Sequence, residues 1–269
     1  MAIDWTVLKM ARGMKADRAI ASILGGILLC GPGLVHAQAI SETKDEISYR
    51  MRTGDSLIGL SRHFLVRPDS HLEVQRINRI EDPDRMPVGR PIIIPTRLLR
   101  STPMDGKIIA FRGTVRIGTQ RPAGLATVGL AVKEGAIIET GDDGYVTLGL
   151  ANGSRMSLPS RSRIRITRMR KYNLTAGTDF DFEIDKGRSE ISVTPQPDPR
   201  NRFRLRTPIA VSAVRGTVFR IGYNGKDEPS LTEVIEGKVA VSAGATQLAI
   251  PQGFGAAALL SYLRSPGKQ

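Results

Sequence analysis

From Gly106 to about Pro251 the chain is cut into short alternating apolar runs, with Gly, Asn, Asp or Pro recurring about every 8–12 residues. A helix needs apolar positions three and four apart over ten or more residues. Alternating runs this short are instead the mark of an all-β domain. Candidate strands include Lys107–Phe111, Thr114–Ile117, Tyr145–Leu150, Arg163–Thr167, Asp179–Ile184, Arg188–Val193, Arg202–Arg206, Thr217–Ile221 and Gln247–Ile250. The string Arg-Gly-Thr-Val at 112–115 returns at 215–218. Repeated short rungs with a glycine at the corner fit a stacked solenoid, and a β-sandwich produces the same local pattern.

Ahead of this lies a segment of different period. Ile47, Tyr49 and Met51 alternate with polar residues as in a half-buried strand. Thr53-Gly54 turns the chain, and Asp55 or Ser56 is placed to cap a helix carrying Leu57, Leu60 and Phe64 on one stripe. Pro68-Asp69-Ser70 breaks it and starts a second helix whose Val74 and Ile77 face inward. Pro87-Val-Gly leads into the apolar strand Ile92–Ile94. The expected order is strand, helix, helix, strand.

Residues 1–37 read as a secretory signal. Lys9, Arg12, Lys15 and Arg18 lead into the apolar run Ala19–Leu29, and Val35-His36-Ala37 is a small-residue cleavage signal. A retained anchor is the alternative. Cleavage removes four basic and two acidic side chains and takes the net charge from +13 to +11. It also removes Cys30, the one cysteine, so the remaining chain has no disulfide, thiolate nucleophile or Cys-held metal.

The motif Tyr49-x-x-x-x-Gly-Asp-Ser-Leu57, the pair Ile77-Asn78 and the close Pro87-x-Gly-x-x-Ile-x-Ile-Pro95 resemble the LysM domain. That resemblance implies a βααβ module binding N-acetylglucosamine polymers such as peptidoglycan or chitin. It places the sugar groove on Gly54, Asp55, Ser56 and Leu57 and on Arg79, Ile80, Glu81, Asp82 and Pro83, with backbone groups making most contacts. Ile58 departs from the aromatic residue many members carry. Later strings resemble the FecR domain, an extracytoplasmic all-β domain: Gly135-Ala-Ile-Ile-Glu-Thr-Gly141, Arg204-Leu-Arg-Thr-Pro208, Ala213-Val-Arg-Gly-Thr-Val-Phe219 and Val234-Ile-Glu-Gly-Lys-Val239. The implied role is a β domain that meets a ligand or partner.

The expected organisation is therefore mainly β: signal 1–37, linker 38–46, LysM-like module 47–97, linker 98–105, FecR-like domain 106–251 and tail 252–269. Three charged rows alternate with apolar residues at strand period: Arg161/163/165, Asp179/Asp181/Glu183/Asp185 and Arg200/202/204/206. On neighbouring strands the acidic row would lie beside at least one basic row, each facing pair contributing about 0.2–1 kcal/mol. Arg168, Arg170 and Lys171 have no acidic mates evident in the sequence, which leaves an anion-binding face as the rival reading.

A catalytic search finds His63 and His71 without a companion ligand or nucleophile, and the carboxylate groups Asp142-Asp143 and Asp179/Asp181/Glu183 without a cleft signature. The expectation is a non-enzymatic envelope protein in the periplasm, without metal or cofactor. Its partners would be peptidoglycan or another N-acetylglucosamine polymer and an envelope protein. A periplasmic sensor whose front module only localises it is the alternative. Nucleic acid is not expected, since no aromatic residues interleave with the basic rows as stacking platforms.

Overall fold

A computed structural model describes residues 2–9, 45–84, 86–119, 123–196, 198, 200–225 and 228–261. In chain order the first elements are β1 (Ala2–Lys9), β2 (Glu46–Arg50), α1 (Leu57–Phe64), α2 (Ser70–Ile77), β3 (Pro91–Pro95) and β4 (Ser101–Pro103). Next come β5 (Gly106–Arg112), β6 (Val115–Gly118), β7 (Gly124–Leu125), β8 (Ala131–Val132), β9 (Ile137–Thr140), β10 (Tyr145–Gly149) and β11 (Arg155–Leu158). The strands β12 (Arg163–Tyr172), β13 (Thr178–Ser192), β14 (Arg202–Arg206), β15 (Val211–Val214) and β16 (Val218–Tyr223) follow. Last are β17 (Ser230–Glu236), β18 (Lys238–Ala243), β19 (Thr246–Pro251) and β20 (Phe254–Ser261).

The front module is the expected βααβ unit. Its two strands pair antiparallel, with Ile47 opposite Ile94 and Tyr49 opposite Ile92. Those side chains bury against Leu57, Leu60, Val74 and Ile80. Ile77, expected to face inward, is exposed instead, because α2 turns only Ser70 and Val74 into the core.

The β region is one curled sheet folded into two facing layers. One layer runs β8-β5-β10-β11-β13-β16-β17-β20-β1. The other runs β7-β6-β9-β12-β13-β14-β15-β18-β19, with β4 alongside the far end of β12. Phe180, Phe182, Phe203 and Leu205 from the second layer meet Ile108, Leu148, Ile191 and Phe219 from the first in one apolar core. Among the described strands every pairing is antiparallel except β13 with β14. Stacked parallel rungs are therefore not present, and of the two architectures read from the sequence the sandwich is the one that forms.

Two features make the layers. Strand β13 belongs to both: Thr178–Lys186 pairs with β12, and Gly187–Ser192 with β16. Gly187, at φ +89, marks the change. The repeated Arg-Gly-Thr segments are corners where the chain passes from one layer to the other, β5 to β6 and β15 to β16, and Gly113 and Gly216 share φ +61. The sequence echo is thus a structural one, though of a corner and not of a rung.

Three expected non-strand regions hold strands. The connector 98–105 carries β4, paired with Arg170–Tyr172. The tail from 252 carries β20, which pairs with β17 on one side and β1 on the other. Residues 2–9 of the leader form β1, and the remainder of the leader, from Met10 through Ala37, lies outside the described residues. Among the described residues no helix is long and apolar enough to cross a membrane.

Candidate functional site

The two loops of the front module are built by local hydrogen bonds. Ser56, not Asp55, caps α1: its Oγ accepts from the Gly59 amide at 3.0 Å. Asp55 instead closes the turn before the helix, accepting from the Arg52 amide at 2.8 Å and the Tyr49 hydroxyl at 2.7 Å. Burial first, then the hydrogen bond to Asp55 and its negative charge, push the Tyr49 phenol up to about 12. Gly54 is exposed, Asp55 and Ser56 are half-buried, and the Leu57 side chain is buried in the module core.

The second loop follows α2. Arg79 adopts φ +50, its amide bonds to the Arg76 carbonyl and the Ile80 amide bonds to the Gln75 carbonyl, a Schellman termination. Ile80 inserts its side chain into the core, and its carbonyl accepts from Gln75 Nε2 at 3.0 Å. Arg79, Glu81 and Asp82 are exposed, Pro83 is half-buried, and Asp82 Oδ1 accepts from the Asp84 amide. Asn78 locks the loop to the sheet: Nδ2 donates to Val74 and Ile93 carbonyls at 2.8 and 2.7 Å, and Oδ1 accepts from the Ile93 amide at 2.7 Å. Because α1 and α2 form a helical hairpin, the start of α1 and the end of α2 lie at the same end of the module. The predicted residues thus share one end. Leu57 and Ile80 contribute only backbone there, and both main-chain groups of Ile80 are already used.

The charged rows meet. The acidic row on β13 lies between β12 and β14, with Arg165 opposite Glu183, Arg168 opposite Asp181 and, on the other side, Asp181 opposite Arg204 and Glu183 opposite Arg206. Arg206 Nε reaches Asp181 at 2.8 Å, Arg168 reaches Asp179 at 3.0 Å, and Arg204 reaches both Asp179 and Asp181 at 3.2 Å. The expectation that the acidic row lies beside at least one basic row is met on both sides. A register irregularity between Ile166 and Arg168 keeps the face consistent, so Arg163, Arg165, Arg168 and Arg170 stay on it while Ile164, Ile166 and Met169 stay buried. Two members leave their rows: Arg161 sits in a turn at φ +58 and pairs with Asp142, and Arg200 pairs with Asp198.

Around Asp179, Asp181, Arg202 and Arg204 the face is also buried, which the alternation did not foretell. Tyr172, the last residue of β12, and Leu174, just beyond it, enter the core of the front module. Tyr172 donates to Asp179 at 2.5 Å, and burial with the Asp179 charge raises its phenol far above the ordinary value. Asp45, just before β2, accepts from Arg204 at 2.6 Å and lies 3.6 Å from Arg202 and 3.8 Å from Arg168. Burial raises the Asp45 carboxyl, but the Arg204 hydrogen bond and these three positive charges outweigh it and hold the group below its usual range. Asp179 and Arg204 are both at most 1% exposed. The front module is therefore seated on the charged ladder.

The other candidate chemistry is tied up locally. Asp143 accepts from the Thr114 amide at 3.1 Å at the first corner. Asp179 and Asp181 are enclosed by arginines, so they face no cleft that would hold a glycosidic bond. His71 Nδ1 contacts the Pro68 carbonyl, and His63 lies edge-on to Phe64. Among the described residues no three His, Cys, Asp or Glu side chains gather as a metal set.

Residues 136–240 match the FecR protein family. The chain carries a FecR domain. Two crystal structures of a putative anti-sigma factor from Parabacteroides distasonis are similar, at 19% and 20% identity with TM-scores of 0.36 and 0.37. Each alignment covers 43% of this chain and 51% of the solved chain, so the chain spans about half the length of those relatives. No curated protein matches. The FecR match is narrower than the folded unit: Ile108 and Val115 before it, and Ile250, Ala256 and Ala258 after it, complete the same core. It does not reach the front module.

Sequence reasoning missed the partners of Arg168 and Arg170 in the FecR domain. Arg168 pairs with Asp179, and Arg170 pairs with Glu134, whose carboxylate also accepts from the Met169 amide at 3.2 Å. Glu134 lies 36 positions away in a turn, and no periodicity connects them. It missed the docking role of Asp45 and Tyr172 as well. The one available signal was a lone aromatic residue ending a charged strand.

Proposed function

We propose that the chain is a non-enzymatic envelope protein that holds N-acetylglucosamine polymer, peptidoglycan foremost, at the loops 54–57 and 79–83, and presents its FecR domain to an envelope partner in the periplasm. The observation that carries this reading is the way the front module is mounted. Tyr172 and Leu174 fill its core from the FecR side, yet Gly54, Arg79, Glu81 and Asp82 stay exposed at the loop end. A ligand at that end meets main-chain amides and carbonyls held by Ser56, Asp55 and Asn78. A groove of fixed backbone groups suits a repeating sugar, whose hydroxyl and acetamido groups recur at constant spacing.

The FecR domain supports a second, regulatory reading in which the β layers meet a signalling partner and the front module fixes where that happens. The two readings differ in what the loop end does. Deleting the module would strip cover from Tyr172 and Leu174, so the test is a point change. Gly54→Asn places a side chain in the open loop, where a Cβ meets nothing within 4 Å, and asparagine tolerates that backbone. In co-sedimentation with purified peptidoglycan sacculi, the wild-type chain should pellet and Gly54→Asn should remain largely in solution. A wild-type chain that does not pellet removes the glycan reading and leaves the regulatory one.

A further inference from the structure

A second concave site lies where the front module meets the β layers, away from the sugar loops. It is a cleft of about 470 Å³ between the turn at Thr96–Leu98, β4 and the end of β12. That size is within the range of small-ligand sites. Val66 and Leu99 give it apolar surface, and Arg97, Arg100, Arg168 and Arg170 line it without a single carboxylate. We propose that this cleft is a binding site for an oxyanion, the phosphate or carboxylate group of a small molecule.

Three of the four guanidinium groups are fixed by acids outside the lining. Arg97 is held by Glu73, Arg170 by Glu134 and Arg168 by Asp179 at 3.0 Å, with Asp45 at 3.8 Å. The Glu73 bonds use the terminal nitrogens of Arg97, and the Asp179 bond uses one terminal nitrogen of Arg168. Each guanidinium carries five N–H donors, so Nε of Arg97 and the rest of the Arg168 fork keep donors available. Arg100 is exposed, with no ion pair among the described residues, and its position is set by its backbone: its amide bonds to the Phe64 carbonyl and its carbonyl accepts from the Asn173 amide. Asn173, whose Oδ1 accepts from Thr102, also lines the cleft.

This arrangement answers the cost that makes most arginine clusters poor sites. Like charges resist being brought together, and flexible side chains lose freedom on binding. Here the acids balance Arg97, Arg168 and Arg170 and hold them in place, while the charge of Arg100 is uncompensated and lies at the same opening. A planar or tetrahedral oxyanion accepting from two such forks makes charge-assisted, bidentate contacts. The site is separate from the glycan reading. The sugar loops adjoin the start of α1 and the cleft follows its end, an eight-residue helix of roughly 12 Å between them.

The test is a titration of the full-length protein with inorganic phosphate, and separately with malonate, following arginine Nε–Hε resonances by NMR, with sodium chloride at matched ionic strength as the control. Saturable shifts at Arg97, Arg100 and Arg168 are expected. Arg100→Ala should weaken binding about tenfold, the loss of one charge-assisted contact, and Arg100→Lys by about threefold. Response to phosphate alone assigns a phosphoryl ligand, response to malonate alone a carboxylate ligand, and response to both the shared chemistry. The proposal is overturned if chloride reproduces the shifts, if they are confined to Arg50 and Arg52, or if Arg100→Ala titrates like the wild type. Arg100 is exposed and its hydrogen bonds are main-chain ones, so an unchanged melting temperature will show that the variant folds.

Discussion

Arg204 tests how much stability the buried ladder beneath the front module contributes. It is 1% exposed, lies 3.2 Å from both Asp179 and Asp181, and reaches Asp45 at 2.6 Å. Replacing it with methionine keeps the apolar stem and removes the charge. Two buried carboxylates then lose a common partner, although each keeps another arginine: Arg168 on Asp179 and Arg206 on Asp181. Removing one member of a buried ion pair costs about 3–5 kcal/mol. The remaining arginines, and relief of the Arg204 Nε, which has no hydrogen-bond partner, favour the lower end. At about 2–4 °C per kcal/mol for a unit of this size, a cost of about 3 kcal/mol should lower the melting temperature by about 6–12 °C. Asp45→Ala breaks a contact to the same guanidinium, but Asp45 is 57% exposed and screened, so the loss is at most about 1 kcal/mol, or about 2–4 °C. Differential scanning calorimetry of both variants decides the matter. An Arg204→Met protein melting within about 2 °C of wild type, or an Asp45→Ala protein that loses as much as Arg204→Met, would refute the view that the buried pairs within the ladder carry its stability.

Gly187→Ala should be among the most damaging single changes, at about 3 kcal/mol or more, because φ is +89 and a Cβ would stand 2.5 Å from Ser162 Cα; urea unfolding measures it. Asn78→Ala removes two hydrogen bonds to Ile93 of β3 and one to Val74 within α2 and should cost about 2–3 kcal/mol, with amide exchange accelerated at Ile93; an unaltered exchange rate there contradicts the assignment. Stability should decline in acid. Burial raises the Glu134 carboxyl, but hydrogen bonds from Arg170 and the Met169 amide outweigh that and hold it low, as arginines do for Asp45. The unfolded chain therefore takes up protons first. The contribution is complete above the ordinary carboxylate range near pH 4 and is lost as pH falls through the lower folded values. Melting curves between pH 6 and pH 3 should show a shallower acid decline for Glu134→Gln than for wild type, and parallel curves would count against it.

What the sequence revealed followed from local period, and what it hid depended on distant packing. The acidic row and its two basic neighbours were legible because strand alternation sets every second side chain on one face. The slip near Thr167 was not, since nothing in Arg-Ile-Arg-Ile-Thr-Arg-Met-Arg says where a bulge will fall. The front module was legible from caps and apolar stripes, yet its seating on Tyr172 and Leu174 was not, because burial by another part of the chain leaves no local pattern. Phe254–Ser261 read as a tail because Gly and Ala are poor strand formers, and pairing with β17 overrides that preference. The repeated string favoured a solenoid slightly over a sandwich, and the structure reverses that, because strand direction within a pair has no signature in composition.

Strand β13 has a consequence for how the chain reaches this structure. One continuous segment, Thr178–Ser192, supplies the middle of both layers, with β12 and β14 on its first part and β11 and β16 on its second. Neither layer can be finished early and stored while the other assembles, because the keystone is common. Its neighbours arrive from Arg155 on one side of the sequence and from Tyr223 on the other, so loops must close before any of them is rewarded. Assembly should consequently be slow and late, with the sandwich gained or lost as a whole.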